Sequence, residues 1–284
     1  MAVKAKGCGY KMKIKLVDIR DYLLNQDRGD APYIVYGFIE DIEKLLELEE
    51  SGICVLLELY NEETKDYSEE ELANLIHSQK EIHDFSNIVF NRNELTEDYL
   101  NRVYSIFYHK DVVVAEIPDY FIREMKLEDA NGLYDLYSQE DVREFVTPIL
   151  RQETFREKID EYIYNYKSGQ YAFFDYGMWT IIEKSSEEFV GRIGIEDDTR
   201  GGYSGIFLGY ALKEKFRGKG IVVNFAKEIL NYIERNEIAE EVYICCDKEN
   251  LNSIKVAEAL GAHKRYQTIE KQREILIYEI NSKI

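Results

Sequence analysis

Proline is almost missing from this chain, with three in 284 residues, and no segment is of low complexity. That scarcity argues against long disordered linkers. Cysteine is equally sparse. Cys8, Cys54, Cys245 and Cys246 show no C-x-x-C spacing, and they form no ligand pattern with His77, His83, His109 and His263. A disulfide framework and a zinc site are therefore not expected, and no metal is assigned. Cys245 and Cys246 lie in one β-rich run, so they point to opposite faces and read as structural. No apolar run approaches the roughly 18 residues of a membrane span, and the N-terminus lacks the apolar core of a signal peptide. A cytoplasmic protein without a membrane partner is expected. The usual nucleotide motifs are absent too, since there is no G-x-x-x-x-G-K-[ST] and no G-x-G-x-x-G after a strand.

Acidic residues are abundant. The formal charge is −19, with 13 basic and 24 acidic side chains in residues 1–117 and 23 and 31 in the remainder. Both halves repel a phosphate backbone, so nucleic acid is not an expected partner. A cationic acceptor such as a polyamine, an aminoglycoside or a basic protein terminus is attracted, although solubility alone accounts for such a charge equally well. A hydrophobic content of 45%, with 23 Tyr and 13 Phe, supplies real cores, and the length suits two domains.

Residues 1–117 read as a small Rossmann-like α/β domain. Strands at 11–17, 33–38, 53–59 and 85–91 alternate with helices at 39–50, 69–80 and 95–107. No glycine-rich turn follows any of these strands. Val17-Asp18-Ile19-Arg20 lacks the second aspartate of the haloacid-dehalogenase nucleophile motif. A docking, dimerising or substrate-covering role is the expectation here, and a homodimer remains open.

Residues 118–284 carry the chemistry. A strand over 205–212 runs into Lys215-Phe216-Arg217-Gly218-Lys219-Gly220. A helix follows from near Ile221, its apolar face built from Val222, Phe225, Ala226, Ile229 and Ile233. A glycine-rich turn into a helix N-terminus leaves backbone N–H groups unpaired at the positive end of the helix dipole, which makes an anion cradle. Arg217 and Lys219 add cations. About thirty residues later, a strand over 242–246 leads to Asn250-Leu251-Asn252-Ser253, a short helix carrying Ile254, Ala257 and Leu260, and Gly261 as its C-cap.

This order of strand, Arg-Gly-Lys-Gly, amphipathic helix, strand, Asn-x-x-Ser, short helix and Leu-Gly-Ala resembles the GCN5-related N-acetyltransferase (GNAT) superfamily. Asn250-x-x-Ser253 is most similar to the branch that acetylates ribosomal-protein N-termini. Lys215 departs mildly from the Gln or Arg that usually opens the family's first motif. The resemblance implies a mixed six- or seven-stranded sheet flanked by helices, with acetyl-CoA as co-substrate and direct attack of a primary amine on the thioester. It further implies that backbone groups of Ala211 and Leu212 meet the pantetheine arm. The amides of Arg217, Gly218, Lys219, Gly220 and Ile221 would hold the pyrophosphate, and Asn250 would contact the pantetheine side.

Two family positions are altered. The tyrosine that protonates the leaving thiolate in many relatives is Ala257 here, which leaves Ser253 as the candidate acid; a local first-turn hydrogen bond is the competing role for Ser253. The strand glutamate that many relatives use as base is Phe207 here, and Glu196 or Asp197 is the nearest substitute, with a water chain as competitor. The aromatic group Tyr162, Tyr164, Tyr166, Tyr171, Phe173, Phe174 and Trp179 reads either as acceptor wall or as core. The implied acceptor is an amine-bearing small molecule or protein N-terminus. A catalytically weak acyl-CoA-binding regulatory or interaction protein is the alternative.

Overall fold

The computed structural model describes residues 13–24, 31–60, 64, 67–68, 71, 87–89, 95–143, 155–171, 174–200, 202–270 and 272–281. The sequence expectations for the 69–80 helix, for Cys8, His77, His83, Phe173 and for the Thr147-Pro148 interruption lie outside these residues. Two compact units emerge, one within residues 11–112 and one within 113–284.

The smaller unit runs β1 (Lys15–Asp18), α1 (Ile19–Leu24), β2 (Tyr33–Gly37), a 3₁₀ turn (Ile39–Asp41) leading into α2 (Ile42–Glu50), β3 (Val55–Glu58), β4 (Ile88–Val89) and α3 (Glu97–Phe107). All pairings among the four strands are parallel, in the order β1-β2-β3-β4. β3 is buried at all four positions, as a central parallel strand covered on both faces must be. Ile19, Leu45 and Leu57 build the core on one face, and Ile34, Leu56 and Leu100 build it on the other. α3 starts where Thr96 accepts a hydrogen bond from the Tyr99 N–H, with Glu97 and Asp98 in its first turn. Ligand crevices of open parallel sheets form where strand order reverses. Among the described residues this order never reverses.

The larger unit is one mixed sheet in the order β11-β12-β10-β9-β8-β7-β6-β5. Its strands are β5 (Val113–Ile117), β6 (Tyr120–Arg123), β7 (Met178–Glu183), β8 (Phe189–Arg200), β9 (Tyr203–Leu212), β10 (Glu241–Asp247), β11 (His263–Glu270) and β12 (Arg273–Asn281). Eight strands stand where six or seven were expected. The additional one is β5, which forms a hairpin with β6 and was assigned by sequence to the end of the preceding domain. Around the sheet lie α4 (Ala130–Ser138), α5 (Glu140–Arg143), α6 (Phe155–Tyr166), α7 (Ile221–Arg235) and α8 (Leu251–Ala259).

The strand expected over 171–183 begins only at Met178, because Lys167–Tyr171 extends α6 as a π-helical turn that buries the Tyr171 ring. Arg123 and Asp129 form a buried bidentate pair at 2.7 and 2.8 Å, and Thr180 donates to Asp129 at 3.0 Å, tying the entry of α4 to the sheet. α7 buries Ile221, Val222, Phe225, Ala226, Ile229 and Ile233, the helical stripe expected from sequence. Among the described residues no helix is long and apolar enough to cross a membrane.

Candidate active site

β9 remains paired with β8 to its last residue, Gly191 opposite Leu212. Its parallel pairing with β10 is confined to Ile206–Val242 and Phe207–Tyr243. Beyond Phe207 the two strands part, so the β10-facing backbone of residues 208–212 has no ladder partner. A cleft of about 390 Å³ opens at this gap. Its walls are Tyr210, Ala211 and Leu212 from β9, the loop from Arg217 to Gly220, the first turn of α7, and Asn250 and Ser253 at the start of α8. The structure thus gathers around one cavity every residue that the sequence assigned to the co-substrate, together with Ser253. Tyr210, Asp141, Asn252 and Lys255 line it as well.

The loop at its mouth suits an anion. Gly218 and Gly220 have φ of +72° and +74°, in the left-handed region that favours glycine. A Cβ on Gly218 would meet nothing within 4 Å, so this residue is open to an approaching ligand. Gly220 caps α7 without a side chain, and the Asn224 N–H to Gly220 carbonyl bond, at 3.0 Å, opens the helical ladder. The N–H groups of Ile221, Val222 and Val223 are consequently left over at the positive helix end.

Arg217 differs from its expected role. Its N–H already donates to the Glu214 carbonyl at 3.1 Å, so the available amides begin at Gly218. Its guanidinium is paired with Asp141 and also donates to Gln139 at 3.2 Å and to the Leu212 carbonyl at 3.1 Å. The hydrogen bond from Arg217 holds the Asp141 carboxyl below its usual range. Asp141 is an anion on the wall of an anion cleft, and Arg217 neutralises it. Asp141→Asn removes that charge and leaves the Arg217 cation without its ion pair, still held by Gln139 and the Leu212 carbonyl; calorimetry should show several-fold tighter CoA binding at low ionic strength, with the gain fading as salt is added.

On the opposite wall, Asn250 accepts a hydrogen bond from the Ser253 N–H at 3.2 Å and caps α8. Its amide nitrogen is left to the cleft. The Tyr210 hydroxyl donates to the Ser253 carbonyl at 3.4 Å, and burial raises the pKa of that phenol. The Ser253 side chain also meets the Tyr210 phenol and partly offsets the effect of burial on it. Ala257 is fully buried core. Burial pushes the Cys245 thiol up to about 11 and the Cys246 thiol to about 12, so neither is a thiolate nucleophile near neutral pH.

Glu196 stands apart from the cleft wall. It lies directly opposite Phe207 across the β8–β9 ladder, so its carboxylate is one strand away from the altered family position. Glu196 Oε1 accepts a hydrogen bond from the Tyr166 hydroxyl at 2.8 Å, and Arg200 is 3.9 Å from Oε2. Asp197 is exposed. The aromatic group divides: Tyr171 and Trp179 are core, Tyr164 and Phe174 are exposed, and Tyr162 and Tyr166 surround Arg192. Sequence reasoning missed Arg192; its one visible sign was a charged residue set among Val190, Ile193 and Ile195. Among the described residues no group of His, Cys, Asp and Glu is arranged to hold a metal.

The model of the acetyltransferase (GNAT) domain family matches residues 120–263. An uncharacterized N-acetyltransferase, YjdG, of Bacillus subtilis (strain 168) is 29% identical over 100 residues, which is 35% of this chain and 58% of that protein. The chain therefore spans little more than half the length of this curated relative. The ribosomal-protein-S5-alanine acetyltransferase of Vibrio fischeri shares the fold at a TM-score of 0.51 and 16% identity, over 60% of this chain and 96% of its own. A ribosomal L7/L12 alpha-N-protein acetyltransferase crystallised with coenzyme A does so at 0.50 and 15%, over 60% and 97%.

Proposed function

This chain belongs to the acetyltransferase (GNAT) family, and from that premise we propose that residues 118–284 transfer acetyl from acetyl-CoA to a primary amine. The observation that carries the proposal is the parting of β9 from β10 beside the uncapped start of α7. An extended thiol arm fits between strands whose facing backbone is unpaired, and a diphosphate fits the left-over amides of Gly218 to Val223. Asn250 offers its amide nitrogen to the arm. The chain's part in the reaction is to bind, to orient and to move two protons.

The amine nitrogen forms a bond to the thioester carbonyl carbon, the carbon–sulfur bond breaks, and the sulfur leaves as a thiolate. Glu196 takes one proton from the ammonium, directly or through water, before the attack; the second proton, which the nitrogen loses as the amide forms, reaches the thiolate through the Ser253 hydroxyl, which gives one proton to sulfur and regains one. The products are an amide and CoA. The acceptor is an amine-bearing small molecule or a protein N-terminus; the V. fischeri neighbour, whose name specifies a ribosomal-protein alanine, supports the latter as the first to try. The smaller unit lies within residues 11–112, and the order of its described strands never reverses, which supports a docking role.

Titration with acetyl-CoA and CoA, run beside a free-thiol release assay over polyamines, aminoglycosides and N-terminal peptides, tests this. Micromolar binding with amine-dependent thiol release is expected. Binding without release over the whole panel would favour an acyl-CoA-binding regulator, the reading that Phe207 and Ala257 support. Absence of binding would end both.

A further inference from the structure

Arg192 is 1% exposed, and among the described residues it meets no carboxylate. Its Nη1 donates to the Tyr137 hydroxyl at 3.0 Å and the Tyr162 hydroxyl at 2.9 Å, and its Nη2 to the Met178 carbonyl at 3.1 Å. The guanidinium lies 5.6 Å from the Tyr162 ring centre and 5.4 Å from that of Tyr166. A buried cation so placed is held by oriented hydroxyl, carbonyl and ring dipoles. Its neighbours are fixed in return.

Tyr166 is the neighbour through which this cage reaches the surface. Its hydroxyl accepts the Met178 N–H at 2.7 Å, which leaves its own proton for one acceptor, and Glu196 takes it at 2.8 Å. The ring is locked between Arg192, Tyr162 at 5.7 Å and Tyr171 at 5.1 Å. The other charged group near Glu196 is Arg200, which makes its closer contact, 2.7 Å, to Asp198. Gly194, two residues earlier on β8, and Gly209 opposite it on β9 carry no side chain beside the carboxylate, and Phe207, directly opposite Glu196, offers it no polar group. Among the described residues the Tyr166 hydrogen bond is thus the shortest polar contact that orients Glu196.

We propose that Tyr166, itself held by Arg192 and the Met178 N–H, is the positioning residue that aims the Glu196 carboxylate at the acceptor amine. This rests on the reading of Glu196 as proton acceptor. On that reading the base lies on β8, directly across from Phe207 on β9. Tyr166→Phe keeps the ring packing and removes the aiming bond together with the acceptor of the Met178 N–H. Glu196→Asp keeps the charge and shortens the reach to Tyr166.

The test is a double-mutant cycle of Tyr166→Phe and Glu196→Gln, with Glu196→Asp alongside, using acetyl-CoA and an alanine-terminated tetrapeptide. Tyr166→Phe should lower kcat about tenfold, in the range that loss of orientation costs, while the KM for acetyl-CoA stays the same. Combined with Glu196→Gln it should add no further loss, and Glu196→Asp should resemble Tyr166→Phe. Multiplied effects in the double variant, or an unchanged kcat in Tyr166→Phe while Glu196→Gln is impaired, would overturn the positioning role. Full activity of Glu196→Gln would instead remove the base assignment itself, and the positioning role with it.

Discussion

Replacing Gly218 and Gly220 together by aspartate should abolish CoA binding while leaving the protein folded. Both residues are exposed and sit at the mouth of the cleft, where the amides from Gly218 to Val223 converge. Two unit charges 4 Å apart interact by about 4 kcal/mol at an effective dielectric of about 20, and by about 1 kcal/mol in bulk water. An open loop lies between these limits, so roughly 2 kcal/mol for each carboxylate weakens binding on the order of a thousandfold. The left-handed conformation adds a penalty to the fold of about 1–2 kcal/mol per residue, and aspartate tolerates that region better than most residues. Calorimetry would show no heat with CoA at concentrations that saturate the native protein, while circular dichroism stays native. An unchanged affinity would refute the anion cradle.

The second large effect is on stability. Gly194 is in the middle of β8, between Met178 on β7 and Gly209 on β9. A Cβ there would overlap the Gly177 carbonyl oxygen and come within 2.7 Å of the Met178 Cα. These are backbone atoms, so no side-chain rotation relieves the clash, and β7 must move away from β8. Overpacking of this kind costs about 3 kcal/mol or more. For a unit of this size, Gly194→Ala should lower the melting temperature by roughly 10 °C. Met178 bonds through its backbone to both Tyr166 and Arg192, so the same shift loosens the support of Glu196. Thermal unfolding and kcat measured on one preparation would show both losses; a melting temperature within 2 °C of native, against the roughly 10 °C drop expected, would mean that the strands accommodate the methyl group.

Features written in local chemistry were legible in the sequence. Gly218 and Gly220 mark a backbone conformation few other residues adopt, the stripe from Val222 to Ile233 declares a helix, and Asn250 announces its cap. The parting of β9 and β10 was legible only through the resemblance, because no residue in either strand encodes the loss of a partner. Contacts between distant segments were hidden. Arg217 read as a phosphate ligand, yet it is held by Asp141, which lies 76 positions away on a four-residue helix. Tyr166 and Glu196 meet across thirty positions, and the π-helical turn that sets the end of α6 has no sequence signature. β5 was missed because five residues, one of them Glu116, carry too little alternation to separate a strand from a linker.

The order of strands in the larger sheet bears on the history of each molecule. From β5 to β9 the strands stand side by side in the sequence in which translation delivers them, so each newcomer finds its neighbour already present. The β5–β6, β7–β8 and β8–β9 hairpins close short loops and form early, whereas β6 meets β7 only after α4, α5 and α6 have been made. The gap between β9 and β10 belongs to the last third of the chain, together with α7 and α8. Acetyl-CoA can therefore hold no nascent intermediate; it acts only on the finished product, drawing complete molecules into the folded population by mass action. A chain that stops before β10 would keep five neighbouring strands in register and yet be invisible to the metabolite that protects its full-length siblings.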